Sequence, residues 1–390
     1  MTTTFAALGV ADDLVSALAD AGIDEPFPVQ ALTIPDGLEG RDVCGKAKTG
    51  SGKTLAFGIP LIERTTKAAP RRPRALIMVP TRELAVQVRV AIEPLAERRG
   101  LRVRAIYGGA DIEKQVKALQ RGVDIVVATP GRLIDLIDRG EVHLGDVTAV
   151  VLDEADRMAD MGFLPQVEWV LRHTPRPRQT MLFSATLDGE VDHLVKAHLT
   201  EPVFHEVEST LPTFDAMQHR FLAVHQLDKV KVTASIARGA FRCLVFVRTK
   251  RGADRLALQL DREGVEAMPI HGDLRQSARE RALRDFSDGK LHVLVATDVA
   301  ARGIHVDDID VVVHYDPPSD HKAYLHRSGR TARAGTSGVV ATLVLWDQEL
   351  EVKQLQKRLG LEQPIFEVFS NDSRLSDLAA WDPAAPEAVA

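Results

Sequence analysis

The chain has 390 residues, more than one hydrophobic core usually serves, and its 45% hydrophobic and 27% charged residues are an ordinary globular balance. Its formal net charge is −6, so no global positive field attracts nucleic acid, and any such site must be a local patch. Two cysteines, Cys44 and Cys243, cannot supply a four-ligand zinc site or a disulfide framework, and the apolar runs around them predict two buried, reduced thiols.

The N-terminal segment and the hydropathy of the chain bear on localisation. The first residues, MTTTFAALGV, lack the basic segment and the long apolar core of a signal peptide. No apolar run reaches the roughly 18 residues that a membrane span requires. The sequence therefore predicts a soluble cytoplasmic protein with no membrane partner.

Short apolar runs alternate with amphipathic stretches along the first half of the chain. Six runs are predicted strands: RDVCG, RALIMVP, VRAIYG, DIVVATP, AVVLDEA and TMLFSAT. Between them lie stretches with a helical pattern, such as RELAVQVRVAIEPLAERR. Near-continuous apolar strands that alternate with helices predict a parallel sheet covered on both faces.

The pattern is interrupted once and then restarts. Residues 208–218, ESTLPTFDAMQ, are polar, contain a proline and show no period, which predicts a short linker. Six further predicted strands follow: RFLAV, RCLVFV, AMPIHG, HVLVATD, DVVVHYD and VVATLVL. Residues 371–390 carry one arginine against four acids and are predicted to be a disordered tail. The sequence thus predicts two α/β domains, over residues 1–207 and 219–370, each with a mostly parallel sheet flanked by helices.

A glycine-rich loop follows the first predicted strand. AKTGSGKT, residues 47–54, lies between DVCG and the helical pattern LAFGIPLIERT, the context in which backbone N–H groups converge on phosphate oxygens. Lys53 is predicted to neutralise the β- and γ-phosphates, and the Thr54 hydroxyl to ligate Mg²⁺. The other predicted nucleotide-binding residues of the loop are Thr49, Gly50, Ser51 and Gly52.

Three carboxylates follow the apolar run AVVL, namely Asp153, Glu154 and Asp156. In phosphoryl-transfer enzymes a carboxylate at such a strand end helps to hold Mg²⁺, so Asp153 is the second predicted metal ligand. Glu154 is predicted to orient or deprotonate the attacking water. The alternative is an acid-rich helix N-terminus that the helix dipole favours. For Asp156, a capping role and a bridge to another motif are both open.

These motifs resemble those of the DEAD-box ATP-dependent RNA helicases of superfamily 2, over roughly residues 5–369. The family's motifs occur in the family's order: PVQ (28–30), AKTGSGKT (47–54), PTRELA (80–85), GG (108–109), TPGR (129–132), DEAD (153–156), SAT (184–186), VFVRTK (245–250), HGDLRQSARE (271–280), ATDVAARG (296–303) and HRSGRTARAG (326–335). The resemblance implies two RecA-like domains, ATP and Mg²⁺ as cofactors, and RNA bound across both domains.

Several nucleotide-site residues come from this resemblance. It implies that Gln30 reads the adenine edge and that Phe5 stacks near the base, although an apolar staple under a helix is an open alternative for Phe5. Asp298 is assigned to nucleotide binding, with an inter-motif contact or a structural role as alternatives. Arg330 and Arg333 are three residues apart, so one helical turn would place both on one face, from which they would reach the γ-phosphate as catalytic arginines.

The resemblance also implies residues that couple nucleotide state to domain closure, namely Ser184, Thr186, Asp156 and His326. A strand-end hydroxyl turn is the alternative for the first two.

The sequence departs from the family pattern at several positions, and three of them bear on the nucleotide. Ile23 and Phe27 stand where an aromatic residue and a threonine are usual, which predicts looser adenine discrimination. His305 stands where an aspartate near the ribose is usual.

Eight residues match family positions that contact the RNA backbone: Arg82, Gly108, Gly109, Thr129, Arg132, Lys250, Arg279 and Thr297. Arginine and lysine suit phosphate, and glycine suits close backbone approach. We therefore expect binding that is independent of RNA sequence, with protein partners as a possible source of RNA specificity.

Three functions follow from this reading. The first is an RNA-stimulated ATPase that unwinds or remodels short RNA duplexes, in a cycle of closure on ATP and RNA and reopening after hydrolysis. The second is an ATP-gated RNA clamp or scaffold with little unwinding. The third is a DNA translocase of the same superfamily. The DEAD, SAT and PTRELA motifs argue against this function.

Overall fold

The computed structural model describes residues 3–47, 50–207, 217–301, 309–331 and 338–381. The chain forms two compact units, Met1–Ser209 and Thr210–Ala390. Within the described residues, each unit is built on a seven-stranded parallel sheet with helices packed against it. This confirms the predicted fold class.

The N-terminal unit contains seven strands in its described residues, in the spatial order β3-β4-β2-β5-β6-β1-β7. Their bounds are β1 Val43–Lys46, β2 Ala75–Met78, β3 Val103–Ile106, β4 Ile125–Ala128, β5 Ala149–Asp153, β6 Gln179–Ser184 and β7 Val203–Glu206. The helices are α1 Asp12–Asp20, α2 Pro28–Leu38, α3 Lys53–Arg64, α4 Arg82–Arg98, α5 Ile112–Gln120, α6 Pro130–Asp138, α7 Ala155–Asp160, α8 Leu164–Arg172 and α9 Glu190–His198.

Strand β2, in the middle of the sheet, is apolar at every position because helices cover both faces of the sheet. In β2, Ala75 and Ile77 pack into one hydrophobic cluster, whereas Leu76 and Met78 pack into another on the opposite face. All four side chains are fully buried. Successive side chains of a strand point to opposite faces, so two-sided burial requires an unbroken apolar run.

The C-terminal unit repeats this architecture, with the strand order β10-β11-β9-β12-β13-β8-β14. Its strands are β8 Gln218–Ala223, β9 Cys243–Phe246, β10 Ala267–Ile270, β11 Val293–Ala296, β12 Val311–His314, β13 Val339–Val344 and β14 Ile365–Glu367. Its helices are α10 Lys229–Gly239, α11 Lys250–Arg262, α12 Gln276–Ser287, α13 Asp298–Ala301, α14 His321–Ser328 and α15 Glu349–Leu359.

The structure adds two strands that the sequence did not predict, and both lie at sheet edges. β7 alternates half-buried and exposed residues, and β14 has three residues, so neither shows a long apolar run. The predicted linker also ends too late, because β8 already begins at Gln218. Residues 208–216 lie outside the described residues, so the linker stays a prediction there.

The structure differs from the predicted disordered tail over residues 371–381. A short 3₁₀ helix spans Ser373–Ser376, and Leu375, Leu378 and Trp381 are buried in the core of the C-terminal unit. The Arg220 Nη2 atom donates to the Trp381 carbonyl at 2.6 Å. Three apolar residues spaced three apart were the available signal, and the acidic composition around them outweighed it. Residues 382–390 lie outside the described residues.

Both cysteines are buried and unpaired, as predicted. Cys44 lies in β1 and Cys243 in β9, and burial raises the pKa of each thiol to about 12. Such thiols stay protonated at neutral pH and are poor nucleophiles. No helix in the described parts of the chain is long and apolar enough to cross a bilayer.

We expect Trp381→Ala to destabilise the C-terminal unit by about 3 kcal/mol, because the substitution removes a buried aromatic side chain. The Trp381 ring lies 4.9 Å from the Phe366 ring and 4.5 Å from the Arg374 guanidinium. Urea unfolding followed by circular dichroism measures the change. The matched control is Trp346→Ala, since Trp346 is 89% exposed. Equal midpoints for the two variants would contradict the packed position of Trp381.

Candidate nucleotide and RNA site

The phosphate-binding loop connects β1 to α3. Gly50 and Gly52 have φ values of +87° and +88°, which L-residues with a side chain rarely adopt. A Cβ at Gly52 would lie 2.7 Å from the Gln30 amide nitrogen, so a side chain there would collide. Lys53 opens α3, is buried, and donates from Nζ to the Ala47 carbonyl at 3.0 Å. Thr49 lies outside the described residues.

Gln30 connects the loop to the start of α2. Its Nε2 donates to the Gly52 carbonyl and its Oε1 accepts from the Phe27 N–H, both at 2.9 Å. A primary amide has two N–H donors and two oxygen lone pairs. These two bonds therefore use half of the hydrogen-bonding capacity of Gln30.

Phe5 belongs to the hydrophobic core of the N-terminal unit and is 2% exposed. Its carbonyl accepts from the backbone N–H groups of Leu8 and Val10, which fold residues 5–10 into a tight turn. The structure thus describes the packing role that the sequence left open. The base-stacking role stays a prediction.

Asp153 ends β5 and is buried, and its Oδ1 atom has no hydrogen-bond partner. Burial raises the pKa of the Asp153 carboxyl to about 7. The Lys53 ammonium lowers this pKa, although by less than burial raises it, and the Glu154 carboxylate raises it further. The fold therefore holds a carboxylate whose charge the chain itself does not fully compensate.

Glu154 follows in the left-handed region, with φ +54° and ψ +51°, and precedes α7. A side-chain-bearing residue pays about 1–2 kcal/mol for this conformation. The buried Glu154 carboxylate accepts a hydrogen bond from the Arg157 guanidinium, one turn further along α7. Backbone strain and this ion pair together fix the direction of the carboxylate.

Asp156 bridges two motifs, one of the two roles left open by the sequence. Its backbone N–H donates to the Ser184 hydroxyl at 3.2 Å, and its Oδ2 accepts from the Ala185 N–H at 3.2 Å. The Ser184 carbonyl in turn accepts from the Ala47 N–H at the start of the phosphate loop. Thr186 is exposed at the end of this segment. We call residues 153–156 the acidic turn. The acidic turn, the SAT segment (residues 184–186) and the phosphate loop are thus linked by direct hydrogen bonds.

The residues present fit a magnesium ion. Mg²⁺ prefers oxygen ligands and commonly takes one or two carboxylates together with substrate phosphates. The unpartnered Oδ1 of Asp153 is a ligand of this kind, and the half-buried Thr54 adds a hydroxyl on the first turn of α3.

Three neighbouring segments at the same edge of the N-terminal sheet carry Arg82, Gly108, Gly109, Thr129 and Arg132, and we call these five residues the basic turn. The Arg82 guanidinium packs so closely on Gly109, whose φ is +82°, that a Cβ there would overlap it. The Arg132 Nη1 donates to the Ala110 carbonyl at 3.3 Å. Thr129 is the N-cap residue of α6, which carries Arg132. The structure therefore brings together all five predicted RNA-contacting residues of this unit, including Gly108.

The strand order separates two kinds of motif along one sheet edge. The basic turn follows β3, β4 and β2, whereas the acidic turn, the SAT segment and the phosphate loop follow β5, β6 and β1. The carboxyl ends of parallel strands form the usual ligand-binding edge.

In the C-terminal unit Asp298 forms a bidentate ion pair. Its two oxygens accept from the Arg327 Nε and Nη2 atoms at 2.6 and 2.8 Å, and the Arg327 Nη1 donates to the Asp316 carbonyl. This is the inter-motif alternative for Asp298. A cavity of about 110 Å³ beside the pair is lined by His326 and Arg330, among others.

The expected arginine face on one helix is wrong for Arg330. α14 ends at Ser328, and Arg330 follows its glycine cap, where it is buried and its Nε approaches the His326 carbonyl at 3.3 Å. The helix therefore ends before it reaches either arginine. Arg333 lies outside the described residues.

The other RNA-contact candidates of this unit have different environments. Lys250 is exposed and pairs with Asp273 at 2.6 Å. Arg279 and Thr297 are buried, and the Arg279 Nη2 donates to the Ala300 carbonyl at 3.1 Å. In this structure Arg279 stabilises α13, and RNA contact by Arg279 and Thr297 stays a prediction.

Sequence reasoning missed two residues of the site, Arg157 and Arg327. Arg157 follows Glu154 by three residues, and opposite charges at this helical spacing were a usable signal. Arg327 lies 29 residues from Asp298, so nothing local in the sequence predicted their pairing.

Two family models match the chain. The DEAD/DEAH box helicase model matches residues 27–194, and the helicase conserved C-terminal domain model matches residues 228–335. The chain therefore belongs to the DEAD/DEAH box helicase family and is an enzyme of the ATP-dependent RNA helicase class. This confirms the resemblance drawn from the motifs.

Individual relatives agree. The DEAD-box ATP-dependent RNA helicase CshA of Geobacillus kaustophilus is 42% identical over 88% of this chain and 73% of the relative. CshA of Bacillus subtilis is 42% identical over 88% of this chain and 70% of the relative. Among solved structures, S. cerevisiae Dbp5 bound to RNA and ADP BeF3 has a TM-score of 0.81 and 29% identity, with 95% of this chain and 96% of that chain covered.

We expect Asp153→Asn to stabilise the nucleotide-free protein by about 1–3 kcal/mol at about pH 8, because it removes a poorly compensated buried charge. The raised pKa means that the folded state binds the extra proton between the ordinary value of 3.8 and about 7, so stability of the native sequence falls across that window as pH rises. The gain should therefore vanish near about pH 4.

Urea unfolding at both pH values measures the difference. Asp24→Asn, at an exposed position, is the control for the loss of one charge. A variant less stable than the native sequence at the higher pH would show that Lys53 compensates Asp153 fully.

Proposed function

We propose that the chain is an RNA-stimulated ATPase that uses ATP and Mg²⁺ to separate or remodel short RNA duplexes. The observation that carries the proposal is the buried Asp153 carboxylate, whose Oδ1 atom lacks a hydrogen-bond partner and whose pKa the nearby Lys53 ammonium lowers. The basic turn lies along the same sheet edge, so one unit offers a nucleotide site beside an RNA site. Dbp5, which matches most of the chain, was solved with RNA and ADP BeF3.

The nucleotide would be held by groups that the loop already orients. Lys53 neutralises phosphate charge, and the N-terminus of α3 directs free N–H groups at the phosphates. Mg²⁺, held by Asp153 and Thr54, would supply further charge neutralisation on the phosphates. The two unused hydrogen-bonding positions of Gln30, one donor and one acceptor, match the bidentate pattern of adenine N6 and N7.

Glu154 is the proposed general base. Its carboxylate would accept a proton from a water whose oxygen forms a bond to the γ-phosphorus, while the bond to the bridging oxygen of ADP breaks. Arg157 keeps the carboxylate oriented, because it donates to it from within the same helical turn. Lys53, Arg330 and Arg333 are the proposed groups that stabilise the negative charge developing on the γ-phosphate.

The hydrogen bonds from Asp156 to the SAT segment offer a route by which loss of the γ-phosphate changes domain closure. A shift of the acidic turn would move Ser184 and Ala185, since both bond directly to Asp156. Thr186 and His326 are the further residues assigned to this coupling. We infer that these bonds rearrange when the nucleotide changes, so that closure responds to nucleotide state as a switch.

RNA would bind through its sugar-phosphate backbone. Arg82 and Arg132 supply cations, and Gly108 and Gly109 let the backbone approach closely. The five predicted contact residues include no aromatic side chain, and the neighbouring Tyr107 packs against the hydrophobic core of the unit, so we propose binding that is independent of sequence. Lys250, Arg279 and Thr297 are the proposed contacts of the C-terminal unit.

We expect Glu154→Gln to lower the ATP turnover number by at least about 100-fold, because glutamine cannot accept the proton. Glutamine keeps an oxygen acceptor for Arg157, so binding of ATP and of single-stranded RNA should remain close to that of the native sequence. Phosphate release measures turnover, and fluorescence anisotropy measures binding. Glu190→Gln, at an exposed position of α9, is the matched control. Unchanged turnover would remove Glu154 from the chemistry.

A strand-displacement assay separates unwinding from clamping. We expect the protein with ATP to displace one strand of a short RNA duplex and a non-hydrolysable analogue to give long-lived RNA complexes without multiple turnovers. Long RNA dwell times with ATP and no displaced strand would instead favour the ATP-gated clamp. Stimulation of ATP hydrolysis by DNA alone would favour a DNA translocase.

A further inference from the structure

A second basic surface lies on the N-terminal unit, outside the motif residues. A cavity of about 320 Å³ is lined by five cationic side chains, Arg102, Arg104, Lys114, Lys117 and Arg121. We call it the β3–α5 basic pocket, because Arg104 lies in the edge strand β3, Arg102 directly precedes that strand, and the other three lie on α5 or at its end. The chain carries a net charge of −6, so five cations around one cavity create a strong local exception.

The three α5 cations form a row. Lys114, Lys117 and Arg121 follow one another at spacings of three and four residues, which places them on one helix face. The row is about 10 Å long, from the helical rise per residue. The Arg102 Nη1 donates to the Arg121 carbonyl at 2.6 Å and thereby fixes the end of the row. A Cβ at Gly122 would lie 2.8 Å from the Arg102 Nη2, so glycine lets this arginine reach the pocket.

The charges of this row are not explained by internal ion pairs. Arg104 pairs with Glu93 at 3.2 Å. In the described part of the chain, by contrast, no carboxylate pairs with Lys114, Lys117 or Arg121, and the three side chains are exposed. Like charges at these helical spacings destabilise a helix slightly. An anion bound along the row would offset this loss of helix stability.

The row also continues from the basic turn described above. α5 begins at Ile112, two residues after Ala110, whose carbonyl accepts from Arg132. Asp111 caps the helix between them by accepting from the Glu113 N–H at 3.0 Å. A nucleic-acid strand that extends from the basic turn along α5 would therefore meet Lys114 first and Arg121 last.

We propose that the β3–α5 basic pocket binds the phosphate backbone of RNA that extends beyond the motif site. The inference rests on the proposed RNA binding of the basic turn and adds a second segment to it. No aromatic residue lines the pocket, so its contribution is electrostatic and independent of sequence. An acidic polypeptide would satisfy the same charges, but the continuity with the basic turn favours RNA.

The test is a triple variant of the full chain, Lys114→Gln, Lys117→Gln and Arg121→Gln. Affinities for single-stranded RNAs of about 6 and about 24 nucleotides are measured by fluorescence anisotropy over a range of salt concentrations. We expect the long RNA to bind about tenfold more weakly, and the slope of log affinity against log salt to shrink by about 2, because each lost contact removes about 0.7. Binding of the short RNA should stay within about twofold.

The matched control replaces three exposed cations of the C-terminal unit, Arg262→Gln, Lys357→Gln and Arg358→Gln, and should leave both affinities close to native. An unchanged affinity and salt slope for the long RNA would overturn the proposal while the RNA binding of the basic turn stands. If the native chain binds neither RNA, the proposed function itself fails. If the triple variant loses binding to polyglutamate but not to the long RNA, the pocket serves an acidic polypeptide and the RNA proposal is overturned.

Discussion

The structure around the nucleotide loop depends on one buried carboxylate, Asp153, that lacks a full set of hydrogen-bond partners. Asp153 ends a strand that is apolar on both faces, so water cannot solvate its charge, and burial outweighs the attraction of Lys53 on its pKa. The fold tolerates this because the strand end faces the loop where phosphate and its metal would bring both negative and positive charge. Other features are arranged about the same point: Glu154 is turned by a left-handed backbone, Arg157 holds it, and Asp156 connects it to Ser184.

The parallel sheet explains how distant segments converge there. Every strand ends at the same edge, so the strand order alone decides which loops become neighbours. In the N-terminal unit this order places β6 between β5 and β1, and the SAT segment therefore lies between the acidic turn and the phosphate loop. The basic turn occupies the other end of the edge. The proposed RNA and nucleotide sites thus share one sheet edge, and hydrogen bonds connect the acidic turn, the SAT segment and the phosphate loop along part of it.

Much of this arrangement could be predicted from the sequence, because buried parallel strands leave an unbroken apolar run and glycine-rich loops have a fixed context. All twelve runs proposed as strands are strands, whereas β7 and β14 were missed because edge strands lack that run. Contacts between distant segments could not be predicted in the same way. The Asp298–Arg327 pair and the burial of Arg279 depend on tertiary packing, and the helical face expected for Arg330 failed because Gly329 ends α14 first. The acidic composition of residues 371–381 likewise concealed three apolar residues that pack into the core.

The most direct test of the central constraint is the affinity for a non-hydrolysable ATP analogue, measured by titration calorimetry with Mg²⁺ and again with the metal chelated. If the Asp153 carboxylate binds a cation that arrives with the phosphates, chelation should weaken binding by at least about tenfold in the native chain. Without the metal, the buried carboxylate and the phosphates repel each other. The same chelation should have a much smaller effect when position 153 is asparagine. Equal affinity with and without Mg²⁺ in the native chain would contradict the account.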